Sequence, residues 1–328
     1  MQTYNVLEIE NLEKHFGDKK VLRGVNLKVP EKKVFGFVGK NGAGKTTTMK
    51  LVLGLMTPNK GEIRVGGEKV TYGNNKTNRF IGYLPDVPEY YSFMTPREYL
   101  TFCGEITGME RKEIGARSEE LLKLVGLGEE KHRIKGFSRG MKQRLGIAQA
   151  LLSKPKLLIC DEPTSALDPV GRKEILDILV SAKEETTILF STHILSDVEH
   201  ICDEMALLNE GRIIMQGTIE EVKKKRRGNA FEIQLEDKND VETVIRGINS
   251  GLKDKVFRSG EEKGIKSNTN KESGTPLKSL SSATIIVKDA AAIPELLRFL
   301  ADNKIPFVRI EKQEAALEDI FISAIQKE

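Results

Sequence analysis

Cysteine is scarce in this chain: Cys103, Cys160 and Cys202 are the three present. They are far apart, odd in number and without metal-ligand spacing, which excludes a disulfide framework and a zinc site and fits a reducing compartment. Long apolar runs are missing too. No stretch approaches the roughly 18 residues a membrane span requires, and the opening "MQTYNVLEIENLEKHF" has no apolar core of signal-peptide length. The expectation is a soluble chain that reaches any membrane through a partner. Nor is there an excess of one charge: 52 Lys and Arg face 48 Asp and Glu, a net +4, too balanced to imply nucleic-acid binding. No internal repeat is found. At 328 residues the chain exceeds what one hydrophobic core usually serves, so a large domain plus a smaller one is expected.

What is present is an alternation of strand and helix signals. "VLEIENL" and "VLRGVNLKV" alternate like half-buried strands, and "KKVFGFVG" is a short apolar run ending in glycine, as a fully buried strand is. From about Thr95 to Leu152 the spacing becomes helical, with Leu121, Leu122 and Val125 on one face and Met141, Leu145, Ala148 and Leu152 on another. The strand-like "KLLICDEP" and "TTILFSTH" then flank the helix-like "PVGRKEILDILVSAKEE", the order of a parallel sheet with crossover helices. Beyond residue 228 the pattern is that of a small α+β module: "FEIQL", "ATIIVKD" and "PFVRIEK" as strands; "DVETVIRGI", "AIPELLRFLAD" and "ALEDIFISAIQ" as helices. Residues 259–282 are polar and read as a flexible loop. The expected domains are 1–228, with a helical subdomain over 95–155, and 229–328.

Four motifs carry chemistry. "GKNGAGKT", Gly39 to Thr46, follows a buried strand and precedes a helical run, the context of a phosphate loop. Its glycines let backbone amides at a helix start face anionic oxygens, Lys45 reaches the terminal phosphates, and Thr46 offers a hydroxyl to magnesium. "LLICDEP" ends a buried strand in two carboxylates, Asp161 suited to hold magnesium through water and Glu162 to deprotonate an attacking water. Cys160 within that strand reads as a small core residue. His193 in "TILFSTH" follows another strand, where a parallel sheet collects its ligands, so its imidazole could touch a γ-phosphate. In "FSRGMKQR", residues 137–144, Ser138 is a good N-cap and Gly140 leaves the first-turn amides open. One nucleotide does not need two such helix starts from one subunit, which suggests that the second serves a nucleotide bound by another copy.

The sequence "GKNGAGKT", "FSRGMKQR", "LLICDEPTSALD", "STH" resembles, in that order, the ATP-binding-cassette family over residues 4–225. The resemblance implies an α/β P-loop fold with a RecA-like core, an antiparallel β subdomain and a helical subdomain. It also implies ATP and magnesium as cofactors, and a head-to-tail dimer with two ATP molecules between the phosphate loop of one subunit and the signature of the other. On that basis Gly39, Asn41, Gly42, Ala43, Gly44, Lys45, Thr46 and Thr47 bind the phosphates, Thr46 and Asp161 serve the metal, Glu162 is the general base and His193 the γ-phosphate switch. Phe16 holds the place of the adenine-stacking aromatic, although alone it reads more often as core. Asp168 matches a loop that communicates across the dimer, although it also suits a helix cap.

Two departures stand out. The family's signature is leucine, serine, glycine, glycine, glutamine; here Phe137, Arg139 and Met141 replace three of the five, leaving Ser138 and Gly140, a variant similar to that of a large prokaryotic exporter branch. Asp86 stands where the family usually has glutamine; it offers oxygens to magnesium or water but no amide donor. Tyr90, Tyr91 and Phe93 read either as local packing or as the surface that receives a membrane partner, and "VKKKRR", 222–227, as a solvated helix end or an attraction to anionic headgroups. The terminal "ALEDIFI" resembles ATPases of exporters whose membrane subunit is a separate chain. The reading is therefore an ATP hydrolase, the subunit of an exporter, cytoplasmic and held to the inner face of the membrane by a separately encoded permease, and paired with a second ATPase subunit. A soluble relative acting on ribosomes or DNA is the alternative, which the single cassette and the short span between phosphate loop and signature weigh against.

Overall fold

Parallel strands buried on both faces need apolar residues at consecutive positions, and three short stretches provide them. In the computed structural model, which describes residues 4–74, 76–224, 231–247, 256–258, 283–287, 290–312 and 317–325, these stretches are the middle of a six-stranded sheet. The elements run β1 (Asn5–Phe16), β2 (Lys19–Pro30), β3 (Val34–Val38), α1 (Lys45–Val52), β4 (Lys60–Val65), β5 (Glu68–Lys69), β6 (Ile81–Leu84), α2 (Pro96–Ile106), α3 (Arg111–Leu124), α4 (Arg139–Leu151), β7 (Leu157–Asp161), α5 (Pro169–Ala182), β8 (Thr187–Thr192), α6 (Leu195–Ile201), β9 (Glu204–Asn209), β10 (Arg212–Thr218) and α7 (Ile219–Lys224). β11 (Phe231–Leu235), α8 (Lys238–Gly247), β12 (Val256–Arg258), β13 (Thr284–Val287), α9 (Ile293–Asp302), β14 (Phe307–Lys312) and α10 (Leu317–Ile325) follow. The chain divides into two compact units: residues Met1–Val222 with Phe321–Glu328, and residues Lys223–Ile320.

In the first unit the large sheet has the order β10-β9-β3-β8-β7-β6. β3, β6, β7, β8 and β9 are mutually parallel, and β10 runs antiparallel at the edge. Every residue of β3, β7 and β8 is buried. Parallel pairing brings the carboxyl ends of β3, β8, β7 and β6 to one side, and the segments after these four strands carry, in that order, the phosphate loop, His193, Glu162 and Asp86.

A second, antiparallel sheet, β2-β1-β4-β5, shares its core with the first. Leu7, Ile9 and Leu27 from one sheet and Phe35, Phe37 and Leu208 from the other form a single cluster with Met49, Leu51 and Val52 of α1. The helix that follows the phosphate loop is thus fixed by apolar burial on its inward face, at roughly 1.5–3 kcal/mol per fully buried large side chain.

Helices α2 to α4 form the helical segment. Thr95 and Glu98 make a reciprocal capping box at the start of α2, with Pro96 at the first helical position where its missing amide costs nothing. Leu121, Leu122, Val125, Leu145, Ala148 and Leu152 are buried as their spacing predicts, while Met141 is only half-buried.

The second unit is an antiparallel sheet of order β12-β13-β11-β14 whose core of Ile233, Leu235, Ile285 and Val287 meets Val244 of α8 and Leu296 and Leu300 of α9. The three-residue β12 has no counterpart in the sequence reading. The polar stretch 259–282 and residues 225–227 of the basic run lie outside the described residues.

Candidate nucleotide site

β3 delivers the chain at Val38 into a turn that only glycine can make. Gly44 has a φ of 114°, and a Cβ there would sit 2.7 Å from Leu22 Cδ2; a Cβ on Gly39 would sit 2.6 Å from the Leu208 carbonyl oxygen. Both positions therefore exclude larger residues by contact, and Gly44 also by conformation. Ala43 and Gly44 are buried, Asn41, Gly42 and Thr46 exposed, and Thr47 half-buried. Lys45 is buried and folds back over its own loop, its Nζ donating to the carbonyls of Gly39 at 2.6 Å and Lys40 at 3.3 Å. Those carbonyls occupy donors that a polyphosphate would otherwise accept from.

The sheet register places the two carboxylates beside this lysine. Asp161, the last residue of β7, pairs with Ser191 of β8, and Ser191 Oγ donates to Asp161 Oδ1 at 2.7 Å. Glu162, one residue on, has a φ of 50° and its amide donates to the Ser191 carbonyl at 3.1 Å. That turn aims its side chain at two cations or potential cations. Its Oε1 lies 3.1 Å from Lys45 Nζ, and its Oε2 lies 2.8 Å from His193 Nδ1. Against an ionised carboxylate Nδ1 must carry the proton. His193 itself is 45% exposed. Glu162 Oε1 is buried and accepts no hydrogen bond, so its contact with Lys45 is an ion pair without hydrogen-bond alignment. Burial, and then the Asp161 carboxylate, push the Cys160 thiol up, as expected of an inert core residue. Burial, then Asp161 and Asp86, hold the Tyr83 phenol at about 12.

A cleft of about 300 Å³, lined by Lys14, His15, Lys20, Leu22, Arg23 and Arg212 with Glu13, opens beside Phe16. The Phe16 ring is 46% exposed. Lys14 Nζ lies 5.0 Å from its centroid and is itself tied to the Thr57 carbonyl at 2.7 Å. Phe16 is therefore a surface aromatic beside a basic cleft, and the core alternative for it is overturned by its exposure.

On the far side of the site, Ser138 caps α4 by accepting from the Met141 amide at 3.2 Å. A Cβ on Gly140 would meet nothing closer than 4.0 Å, so the helix start is open. Asp168 caps α5, accepting from the Gly171 amide at 2.9 Å. Asp86, expected near the metal, accepts through Oδ1 from Ser165 Oγ at 2.5 Å and from Arg139 Nη2 at 3.4 Å. The structure thus gathers Gly39–Thr47, Asp161, Glu162 and His193 directly. Ser138, Gly140, Asp86 and Asp168 form a separate edge with no hydrogen bond to the phosphate loop among the described residues. Sequence reasoning missed Ser191, Ser165 and the carbonyl contacts of Lys45. Ser191 alone had a signal, a hydroxyl in an otherwise apolar strand two residues before His193.

The donors suit magnesium. Among the described residues no three His, Cys, Asp or Glu side chains form a metal cage. A hard cation held by one or two protein oxygens and completed by phosphate and water is the usual magnesium arrangement. Thr46 and Asp161 could hold it, and Asp161 is buried and oriented by the hydroxyl of Ser191.

A glycine loop between a buried strand and a helix, with carboxylates at the end of the strand two places away in the same sheet, defines a P-loop nucleoside triphosphatase. The family of ABC transporters matches residues 22–165, and the C-terminal domain of DrrA1-3-like ATP-binding proteins matches residues 217–325. The chain is 36% identical to the ABC transporter ATP-binding protein YxlF of Bacillus subtilis (strain 168), over 98% of this chain and 99% of that one. It is 40% identical to the bacitracin transport ATP-binding protein BcrA of Bacillus licheniformis, over 71% and 76%. A solved ATP-binding subunit of an ABC transporter superposes with a TM-score of 0.60 at 33% identity, covering 67% of this chain and 92% of that one. The chain belongs to the ABC transporter ATP-binding proteins and is an ATPase of that family.

Proposed function

We propose that two copies of this subunit, or one copy and a homologous chain, close head to tail on two ATP molecules and that the cycle of closure and hydrolysis drives a separate membrane permease in export. The observation that carries this reading is the Lys45–Glu162–His193 cluster, in which one carboxylate bridges the phosphate-loop lysine and a strand-end imidazole. An arriving triphosphate would take Lys45 from the Gly39 and Lys40 carbonyls and from Glu162. Glu162, so released, accepts a proton from the attacking water as the water oxygen bonds to the γ-phosphorus and the bond to ADP breaks, while His193 holds the carboxylate in place and reaches the γ-phosphate. Magnesium, when bound, would neutralise charge on the phosphate oxygens, and Thr46 and Asp161, with Asp86 beside them, are the residues that would hold it. Phe16 stacks on adenine. Ser138 and Gly140 present the start of α4 to the nucleotide of the other subunit, and Asp168 lies in the loop that faces it.

In this reading residues 1–228 are the hydrolytic domain and 229–328 an accessory domain. Tyr91 and Phe93 are exposed and stack together at 6.0 Å, whereas Tyr90 is a packing residue that donates to the Lys142 carbonyl at 2.5 Å. The first two are the surface offered to the permease. No helix among the described residues is long and apolar enough to cross a membrane, so attachment to the inner face falls to that partner. Relatives named for bacitracin and lantibiotic transport support a transport role over action on ribosomes or DNA.

The test is light scattering on Glu162→Gln, which keeps the side chain's shape but cannot act as a base. With ATP and magnesium it should become a dimer, and Ser138→Phe in the same background should return it to a monomer. ATP-bound monomers of Glu162→Gln would overturn the two-copy arrangement.

A further inference from the structure

Two of the positions at which this chain departs from the family's usual residues, Asp86 and Arg139, touch each other. Arg139 is the first helical residue of α4, where the helix dipole favours an anion and disfavours a cation. A carboxylate stands beside it: Asp86, in the segment after β6, accepts from Arg139 Nη2 at 3.4 Å. The same Asp86 oxygen accepts from Ser165 Oγ at 2.5 Å, and Arg139 Nη2 also donates to Ser165 Oγ at 3.3 Å, closing a triangle. Ser165 belongs to the turn after the proposed base, its amide donating to the Glu162 carbonyl at 3.0 Å. A second tie joins α4 to the same segment, because the buried Gln143 donates through Nε2 to the Asp86 carbonyl at 2.6 Å. Three segments that come from distant parts of the chain therefore meet at one carboxylate oxygen.

An isolated ion pair this exposed, 44% for Arg139 and 49% for Asp86, contributes little. A pair that shares its acceptor with a neutral hydroxyl is a small network whose members support one another. Glutamine at 86 with glycine at 139, the family's usual combination, has neither charge. Arginine without the aspartate is the unfavourable combination, an uncompensated cation at a helix start, and aspartate without the arginine loses the donor that shares Ser165 with it.

We infer that Asp86 and Arg139 are a matched pair of positioning residues which, through Ser165, hold the turn that follows Glu162 against the start of α4. Each residue is suited to the other more than to the site in general. This rests on Glu162 as the hydrolytic carboxylate. If Glu162→Gln still hydrolysed ATP, that assignment would fail by itself, whereas failure of the pairing shows in coupling between positions 86 and 139.

The experiment is a double-mutant cycle on steady-state ATP hydrolysis by the full chain, using Asp86→Gln, Arg139→Gly and both together, with Asp86→Glu, Arg139→Lys and Ser165→Ala as companions. Each of the first two singles should lower kcat by about fivefold or more with little change in KM for ATP, the mark of an interaction that acts on the chemical step. The double variant should lie nearer the parent than either single, a coupling of more than about fivefold. Asp86→Glu and Arg139→Lys should each retain more activity than the corresponding charge-removing change. In the nucleotide-free protein, amides of residues 163–168 should exchange faster in Asp86→Gln and Ser165→Ala. Losses that simply multiply in the double variant would overturn the pairing. So would an Asp86→Gln defect repaired by added magnesium together with an inert Arg139→Gly, because Asp86 would then act on the metal alone.

Discussion

Two clusters of charge border this site, and they are built on opposite plans. Lys45 and Glu162 are 5% and 13% exposed and are tied into strand ends and a glycine turn. Arg139 and Asp86 are 44% and 49% exposed and join three segments that share no sheet. In the buried cluster the protein's own groups stand where phosphate would stand: two carbonyls and a carboxylate satisfy the lysine that a triphosphate would claim. The exposed cluster holds segments rather than ligand. The difference teaches that the chemical half of the site is preorganised by the sheet, at a desolvation cost that only good partners offset. The signature half is positioned by weaker, solvent-exposed contacts, which suits the proposed completion of the site by a second subunit.

The comparison is broken most severely on the buried side. Glu162→Gln removes the proposed proton acceptor and should reduce phosphate release by about 10²–10⁴-fold, the usual worth of general-base catalysis. ATP binding should remain, because the phosphate loop and Thr46 are untouched. Binding and hydrolysis failing together would show instead that the carboxylate's main role is to hold Lys45.

Ser191→Ala should be the next largest. It removes the hydroxyl that orients Asp161 without touching the metal's own donors. Loss of a partner behind a metal ligand typically weakens metal affinity by about 10–100-fold. The activity of the variant should therefore recover as magnesium is raised, and a magnesium titration of ATP hydrolysis reads this directly. A lowered rate that no magnesium concentration restores would detach Ser191 from the metal.

The buried side was also the legible side. "GKNGAGKT", the acidic end of "LLICDEP" and His193 each follow a strand that announces itself by an unbroken apolar run, and parallel pairing then forces their carboxyl ends together. What fixes the exposed edge is not periodic. Asp86 and Ser165 belong to the segments after β6 and β7 and Arg139 opens α4, and no spacing rule relates positions 53 and 26 residues apart. Each departure from the family was visible by itself, but their contact was not. The same limit hid β12, whose three residues are too few to show alternation, whereas the other strands of the second unit, five or six residues long or rich in isoleucine and valine, were readable. Phe16 shows a third limit: an aromatic reads alike as core or surface until the sheet decides which way it points.

The smallest effect falls on Asp168, where one carboxylate has been given two roles. Its Oδ1 caps α5, and its loop is proposed to face the second subunit. Alanine removes both functions and should lower stability by about 1 kcal/mol, the ordinary worth of an N-cap. Asparagine caps about as well as aspartate, so Asp168→Asn should melt within a degree or two of the parent while lacking the charge. If the cap is the whole role, Asp168→Asn keeps parental hydrolysis and Asp168→Ala loses only in proportion to its folded fraction. If the charge acts across the dimer, the two variants lose activity alike although they differ in thermal midpoint. Thermal unfolding and ATP hydrolysis measured on the same two proteins therefore separate a residue that shapes its own helix from one that acts on its neighbour.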